Sequence, residues 1–391
     1  MNILHYLPSL HPARGGPVRA VTDLSKGLAR RGHRVTLLTT EMPDRTDEFD
    51  TVELVSLGGP GVNARPFSAE QRASVIRHLE SNDMCHVHGV WDFSNTQISA
   101  ACRQRRIPYF VSLRGMLDDW CVAQKPLKKR LFHTLLGRRH LERAAAVHCT
   151  AQGELDQSAK WFPNGRGVVI PNLLDLNPFR SPPGPELARR QHPMLTNGRP
   201  NVLFLSRVHY KKGVDVLIDA AALLKARGVA CNTIIAGTGD DAYTSEMKAR
   251  VRSAGLDDEV VFVGHVGGDA KVSLYSACDL FALPTSQENF GFVFPEALAS
   301  GTPVITTKGV DIWPELLGSG AASIIDRTPM AFADEIGAIL ADPARREAMR
   351  AKAKPFVFSA FDEEALLDRY EIMYNAGTPG AAVRPPVTAV A

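Results

Sequence analysis

Short apolar runs alternate along the chain with longer stretches in which apolar residues recur every three or four positions. The short runs read as buried strands and the longer ones as amphipathic helices. In the first half the strands fall at NILHYL (2–7), RVTLLTT (34–40), CHVHGV (85–90), PYFVSL (108–113) and GVVIP (167–171). In the second half they fall at NVLFLSR (201–207), NTIIAG (232–237), EVVFVG (259–264), DLFALP (279–284) and TPVITT (302–307). A helix begins near Pro17 with Val18, Val21, Leu24 and Leu28 on one face, and Gly32 suits its left-handed end. This rhythm is that of βαβ units around parallel sheets. Two separate sets predict an α/β protein with two doubly wound domains, not one large sheet.

Between the sets, residues 178–200 carry six prolines with Gly184 and Gly198, a density that predicts an interdomain connector. The expected division is then 1–177 for the N-terminal domain and 201–358 for the C-terminal domain. A helix over 359–376 presents Leu366, Leu367, Tyr370 and Met373 on one side and is expected to return to the N-terminal domain. The Pro-, Gly- and Ala-rich residues 377–391 are expected to be disordered.

Composition narrows the class. The 391 residues suffice for two or three domains at about 150 residues each. Lys plus Arg number 45 against 42 Asp plus Glu, which argues against a chain devoted to nucleic acid. Six scattered cysteines without a C-x-x-C pair read as reduced buried thiols. With no signal-like N-terminus and no long apolar run, a cytoplasmic protein is expected. The charge is uneven, however: KPLKKRLFHTLLGRRHLERA at 125–144 has seven Lys or Arg and one Glu, with Leu127, Leu131, Leu135 and Leu136 close to one face. Such a segment is either a solvated helix packing its stripe on the core or a contact with anionic lipid at the inner face of the membrane.

Candidate chemistry concentrates at SQENFGFVFPEALASGTPVITT (286–307). Gly291 and Pro295 place the start of a short helix between Glu288 and Glu296, just beyond a parallel strand. Backbone N–H groups of Phe290, Gly291 and Phe292 at such a place suit a phosphate. Carboxylates there would repel the anion, so Glu288 and Glu296 suit sugar hydroxyls. In SRVHYKKGVDVLIDAA (206–221), Arg207 closes a strand and Lys212 precedes a helix, aiming two cations into the same crevice. Gly15 and Gly16 allow close approach after the first strand, while GTG at 237–239 is a weak signal. No D-x-D segment occurs.

Taken together, GGP near the start, VIPNLLDLNPF (169–179), SRVHYKKGVDVLIDA, VVFVGHV and ENFGFVFPEALASGTPVI resemble glycosyltransferase family 4, retaining nucleotide-sugar enzymes of the GT-B fold. The resemblance implies two Rossmann-like domains facing a central cleft and transfer of a hexose from a GDP- or UDP-linked donor. It implies a glycan or lipid-linked glycan acceptor, as in bacterial exopolysaccharide or lipopolysaccharide synthesis, with no cofactor and no metal. Arg207, Lys212 and the backbone at Phe290 and Gly291 would hold the diphosphate, Glu288 the donor sugar and Glu296 the ribose. Val266 and Lys271 would line the base pocket, and Gly16 would face the donor from the N-terminal side. Where many relatives carry Thr-x-His-Gly, this chain has Ser112-Leu113-Arg114-Gly115. That departure makes Arg114 a candidate for gripping a phosphate, with His88 beside it and His86 read as structural. A nucleotide-sugar 2-epimerase and a catalytically silent donor-binding subunit stay open as alternatives. A glycoside hydrolase is disfavoured, because it leaves Arg207 and Lys212 without a purpose.

Overall fold

The computed structural model describes residues 1–43, 46–59 and 66–377. Of the tail expected at 377–391, only Gly377, which ends a helix, falls among them; 378–391 lie outside the described residues. The chain divides into two compact units, one comprising Met1–Leu174 together with the chain from Glu363, the other Asp175–Asp362.

The first unit holds seven parallel strands: β1 (Asn2–Tyr6), β2 (Arg34–Thr39), β3 (Glu53–Ser56), β4 (Met84–His88), β5 (Tyr109–Ser112), β6 (Ala146–Cys149) and β7 (Gly167–Val169). Their order in the sheet is β3-β2-β1-β4-β5-β6-β7. β3 and β6 are absent from the sequence expectation. β3 (ELVS) is an edge strand with both end residues exposed, and β6 (AVHC) holds a single branched apolar residue, so neither makes an apolar run that stands out. The helix Gly16–Arg30 starts at Gly15, takes Pro17 in its first turn and buries Val18, Val21, Leu24 and Leu28. Gly32, at φ +84°, ends it.

The second unit holds β8 (Asn201–Leu205), β9 (Asn232–Ala236), β10 (Val260–Gly264), β11 (Leu280–Ala282), β12 (Val304–Thr307) and β13 (Ala322–Ile325) in the order β10-β9-β8-β11-β12-β13, all pairs parallel. In both sheets the first strand sits mid-sheet, and the order reverses between it and its fourth strand, β1/β4 in one and β8/β11 in the other. Ligands of doubly wound sheets bind beyond the carboxyl ends of the strands at that switch point.

The Pro-rich stretch departs from expectation. Residues 178–200 belong to the second unit and fold into its body. Pro185 and Pro193 stand at the starts of a helix (Glu186–Gln191) and a 3₁₀ turn (Pro193–Thr196), where a missing N–H costs nothing. Ala188 is buried there, and its N–H donates to Ser273 Oγ at 2.9 Å. The boundary therefore falls at Leu174/Asp175, and the second unit continues to Asp362.

The Glu363–Gly377 helix packs in the first unit. Leu366, Leu367, Tyr370, Met373 and Tyr374 are its buried face. A Cβ at Gly27 would meet Leu173 and Leu367 at 3.0 Å, so Gly27 lets the two helices approach closely. Arg31 pairs with Glu364, Asp368 and Glu371 of this helix.

Candidate functional site

In the second unit, the loops after β8 and β11 meet across the switch point. The 3₁₀ turn Tyr210–Lys212 is capped by His209 Nδ1, which accepts the Lys211 N–H at 3.2 Å. Gly213 follows at φ +74°, and a Cβ there would lie 2.2 Å from the Pro284 carbonyl oxygen. No other residue permits that contact, and it turns Lys212 inward. Lys212 is 5% exposed, and its Nζ is ion-paired with Glu288 Oε2 from the loop after β11. The glutamate's backbone is fixed from the neighbouring loop: its N–H donates to Gly309 O (2.7 Å), and its carbonyl accepts from Asp311 N–H (2.9 Å).

Arg207 stands exposed on the same loop as Lys212. Burial lowers the pKa of His209, and the charges of Arg207, Lys211 and Lys212 lower it further, so the three cations share one neighbourhood. The GTG segment has a structural role. Cβ atoms at Gly237 and Gly239 would lie 1.9 Å from the carbonyl oxygens of Ser206 and Val208, so the loop after β9 lies against the Arg207 segment.

The Glu288–Glu296 segment folds as its spacing implied. Gly291 adopts φ +63°, and a Cβ there would collide with the Phe294 ring (2.6 Å) and Glu288 Cγ (2.8 Å). Gly291 thus joins Glu288 to the helix Val293–Ala299, whose first turn contains Pro295. Among the described residues the N–H groups of Phe290 and Gly291 have no hydrogen-bond acceptor. Phe290 is buried and packs edge-on against Phe292 and Phe361. Glu296 is 1% exposed; its carboxylate takes Lys271 Nζ at 2.8 Å and Tyr275 OH at 3.3 Å. Tyr275 went unnoticed in the sequence because it reads as one more apolar helix position. Val266 is half-buried in the loop after β10. A cavity of about 630 Å³ opens beyond β11, β12 and β13, lined by Thr285, Ser286, Thr307, Lys308 and Arg327 among others.

The first unit carries Gly16, His88 and Arg114. Gly16 opens its helix behind Gly15, whose φ is +70° and whose missing Cβ faces open space. His88 and Arg114 belong to a larger arrangement. Register aligns His5 of β1 with His86 of β4, His88 with Ser112 of β5, and Ser112 with His148 of β6. Period-two geometry then sets them on one sheet face. There they bond to one another and to the C-terminal helix: His5 Nδ1 to His88 Nε2 (3.0 Å), His86 Nδ1 to Tyr374 OH (2.8 Å), His86 Nε2 to Ser112 Oγ (2.8 Å), Ser112 Oγ to His148 Nδ1 (2.7 Å) and His148 Nε2 to Ile170 O (2.8 Å). Burial, foremost, and the Arg114 charge hold all four imidazoles well below their ordinary pKa, His5 and His148 at about 3. His5, His86 and His88 bring ring nitrogens within 4.8 Å of one another, a spacing open to a metal ion. Hydrogen bonds occupy five of their six ring nitrogens, His5 Nε2 being the exception, and the Arg114 guanidinium adjoins them. His88 therefore holds Arg114 in place rather than offering a free ring.

Two family profiles divide this chain as the structure does. "Glycosyl transferase 4-like domain" matches residues 15–173, and "Glycosyl transferases group 1" matches residues 188–356. Mannosylfructose-phosphate synthase of Agrobacterium fabrum is 38% identical over 329 residues, 75% of this chain and 71% of that protein. Alpha-monoglucosyldiacylglycerol synthase of Streptococcus pneumoniae is 23% identical over 78% of this chain and 70% of its own. HepE of Anabaena superposes with a TM-score of 0.79 at 19% identity, covering 96% of this chain and all of that one. Two parallel Rossmann-like sheets with these matches define a GT-B protein. The chain belongs to the glycosyltransferases, of the family 4 type.

Proposed function

We propose that the protein is a retaining hexosyltransferase that moves a sugar from a GDP- or UDP-linked donor to a glycan or lipid-linked glycan in surface-polysaccharide synthesis. The observation that carries this is the Lys212–Glu288 pair across the β8/β11 switch point, with the acceptor-free N–H groups of Phe290 and Gly291 beside it. Structures of HepE hold UDP and UDP-glucose, which supports a nucleoside diphosphate donor.

Negative charge builds on the departing β-phosphate as the glycosidic bond breaks. Lys212, Arg207 and the two amides would stabilise that charge more strongly than the ground state, which is what lowers a barrier. Glu288, held beside Lys212, would accept from donor-sugar hydroxyls, and Glu296 from the ribose. In front-face transfer the departing phosphate takes the acceptor's proton, so neither carboxylate need act as a nucleophile. These residues would supply the positive charge without a metal. Hydrolysis of GDP- and UDP-sugars by the purified chain tests the reading. Hydrolysis is expected to persist in EDTA; abolition by EDTA with recovery in Mg²⁺ would refute metal independence. Tight donor binding with no turnover would support a silent subunit, and free sugar epimerised at C2 an epimerase.

A peripheral contact with the membrane's inner face is part of this proposal. No helix among the described residues is long and apolar enough to cross a membrane. The 125–144 segment instead forms a continuous helix, Pro126–Glu142, with a π turn at His133–Gly137. Its inward face is Phe132, His133, Leu136, Gly137, His140 and Leu141. Leu127, Leu131 and Leu135 point out, exposed by 82%, 62% and 67%. Lys128, Arg130 and Arg139 flank them in solvent, whereas Lys129 turns in to the Cys121 carbonyl at 2.5 Å. Neutralising Lys128, Arg130 and Arg139 should weaken binding to anionic vesicles by about 1 kcal/mol each, and added salt should act alike. Absent or salt-insensitive vesicle binding would remove this part.

A further inference from the structure

Arg114 is 9% exposed and stands just past the carboxyl end of β5, at φ +57°. Gly115 follows at φ +71°. A left-handed conformation is unfavourable for a non-glycine residue and persists only where its surroundings enforce it. The enforcing contacts are on either side. Gly115 N–H donates to Glu154 Oε1, and the same carboxylate takes Thr150 N–H (2.6 Å) and Thr150 Oγ (3.0 Å). The guanidinium donates from Nη1 to Asn172 Oδ1 and from Nη2 to His88 Nδ1 at 3.3 Å.

Both partners of the guanidinium are neutral. Among the described residues its hydrogen-bond partners are Asn172 and His88, neither a carboxylate, and its Nε has no acceptor. A buried cation without a direct ion pair is costly, so structures that keep one either pair it or use it. The groups facing it are His5, His86, His88 and His148, kept neutral, together with Tyr370, Tyr374 and the buried Glu154 carboxylate, whose charge acts on it without a direct ion pair.

We propose that Arg114 binds a phosphate group on the acceptor, so that the acceptor is phosphorylated: a phosphosugar or the phosphate of a lipid-linked substrate. This deepens the transferase reading and rests on it. Asn172 and His88 orient the planar fork, and the left-handed turn presents it at the carboxyl edge of the first sheet, where doubly wound sheets take ligands. Glycosyl transfer needs no charge at the acceptor hydroxyl itself, so the phosphate serves recognition.

The test uses the full chain saturated with UDP or GDP, whichever gives the larger thermal shift, so that the diphosphate site is filled. Glucose 6-phosphate is then titrated calorimetrically against glucose, and phosphatidylcholine vesicles with phosphatidic acid against vesicles without it. At least one phosphate-bearing probe should bind about tenfold more tightly than its neutral counterpart, as a single charge-assisted contact implies. Arg114→Gln should erase that preference and Arg114→Lys keep part of it, with the nucleotide shift unchanged. Preference for the sugar assigns a soluble acceptor; a vesicle preference that Arg114→Gln abolishes assigns a lipid one, because the 125–144 helix gives anionic vesicles a preference of its own. No preference in the wild-type protein, or a preference that Arg114→Gln leaves intact, overturns the inference, and the glucose 6-phosphate arm in the wild-type protein stands even if the variant misfolds. Failure of both nucleotides to bind would instead strike the donor reading.

Discussion

Replacing Lys212 with alanine should lower donor turnover about 10²–10³-fold, the loss expected when one preorganised donor to a developing anion is removed. The ammonium is buried, so water cannot take its place at full strength, and a buried charge acts through a lower effective dielectric than an exposed one. Alanine also leaves the Glu288 carboxylate unopposed, and that charge would repel the incoming diphosphate. The Lys212→Ala/Glu288→Gln double variant separates the two effects. If Lys212 serves only to neutralise Glu288, the double variant recovers kcat. If it meets the leaving phosphate, kcat stays low and only donor KM improves. Lys212→Arg should rescue poorly, because the Lys212 side chain is buried against Glu288 and a longer, planar head does not match its geometry. Single-turnover hydrolysis of the donor reads all of these, and wild-type rates in Lys212→Ala would end the assignment.

Much of the second unit was legible in the sequence because its site is local. Glu288, Gly291, Pro295 and Glu296 lie within nine residues, and glycine and proline have few reasons to sit at such intervals. Even there, the sequence separates Lys212 from Glu288 by 76 positions, and only the strand order brings them together. The prolines of 178–200 misled because the same residue that cannot enter a helix interior is favoured at its first turn. The Leu127–Leu131–Leu135 stripe shows the converse: spacing identifies a common face but not what that face touches, and the structure turns it outward. The network of the first unit was beyond sequence reasoning. His5, His86, Ser112 and His148 become neighbours through parallel register, and Tyr370 and Tyr374 read simply as an apolar stripe. His86 and His88, two apart on one strand, were the only visible sign.

That network should make the first unit unfold in mild acid. Its proton arrangement follows from its ends. The Ile170 carbonyl can only accept, so His148 donates from Nε2 and accepts at Nδ1 from the Ser112 hydroxyl. Ser112 then accepts from His86 Nε2–H, which leaves His86 Nδ1 to accept from Tyr374. Likewise Arg114 donates to His88 Nδ1, His88 donates from Nε2 to His5, and the His5 Nε2–H has no acceptor. Every imidazole is neutral, and adding a proton would set donor against donor inside a buried cluster beside a guanidinium. The folded-state pKa values are lowered, so the unfolded chain takes up protons first, from about pH 6.5 downward. Stability conferred by these groups is therefore complete above that pH and falls as the medium becomes more acid, by ~1.4 kcal/mol per pH unit for each imidazole. For four imidazoles between pH 6.5 and 5 the loss is about 8 kcal/mol, comparable with the whole stability of a typical domain at about 5–15 kcal/mol. Trp91, Trp120 and Trp161 lie in the first unit and only Trp313 in the second, so tryptophan fluorescence in urea reports mainly the affected part. The midpoint should fall steeply between pH 6.5 and 5, and His5→Phe, which removes the unpartnered N–H, should flatten the slope by about one proton. A midpoint that stays level over that range, or a slope that His5→Phe does not change, would show that the four histidines do not govern the folded state's response to acid.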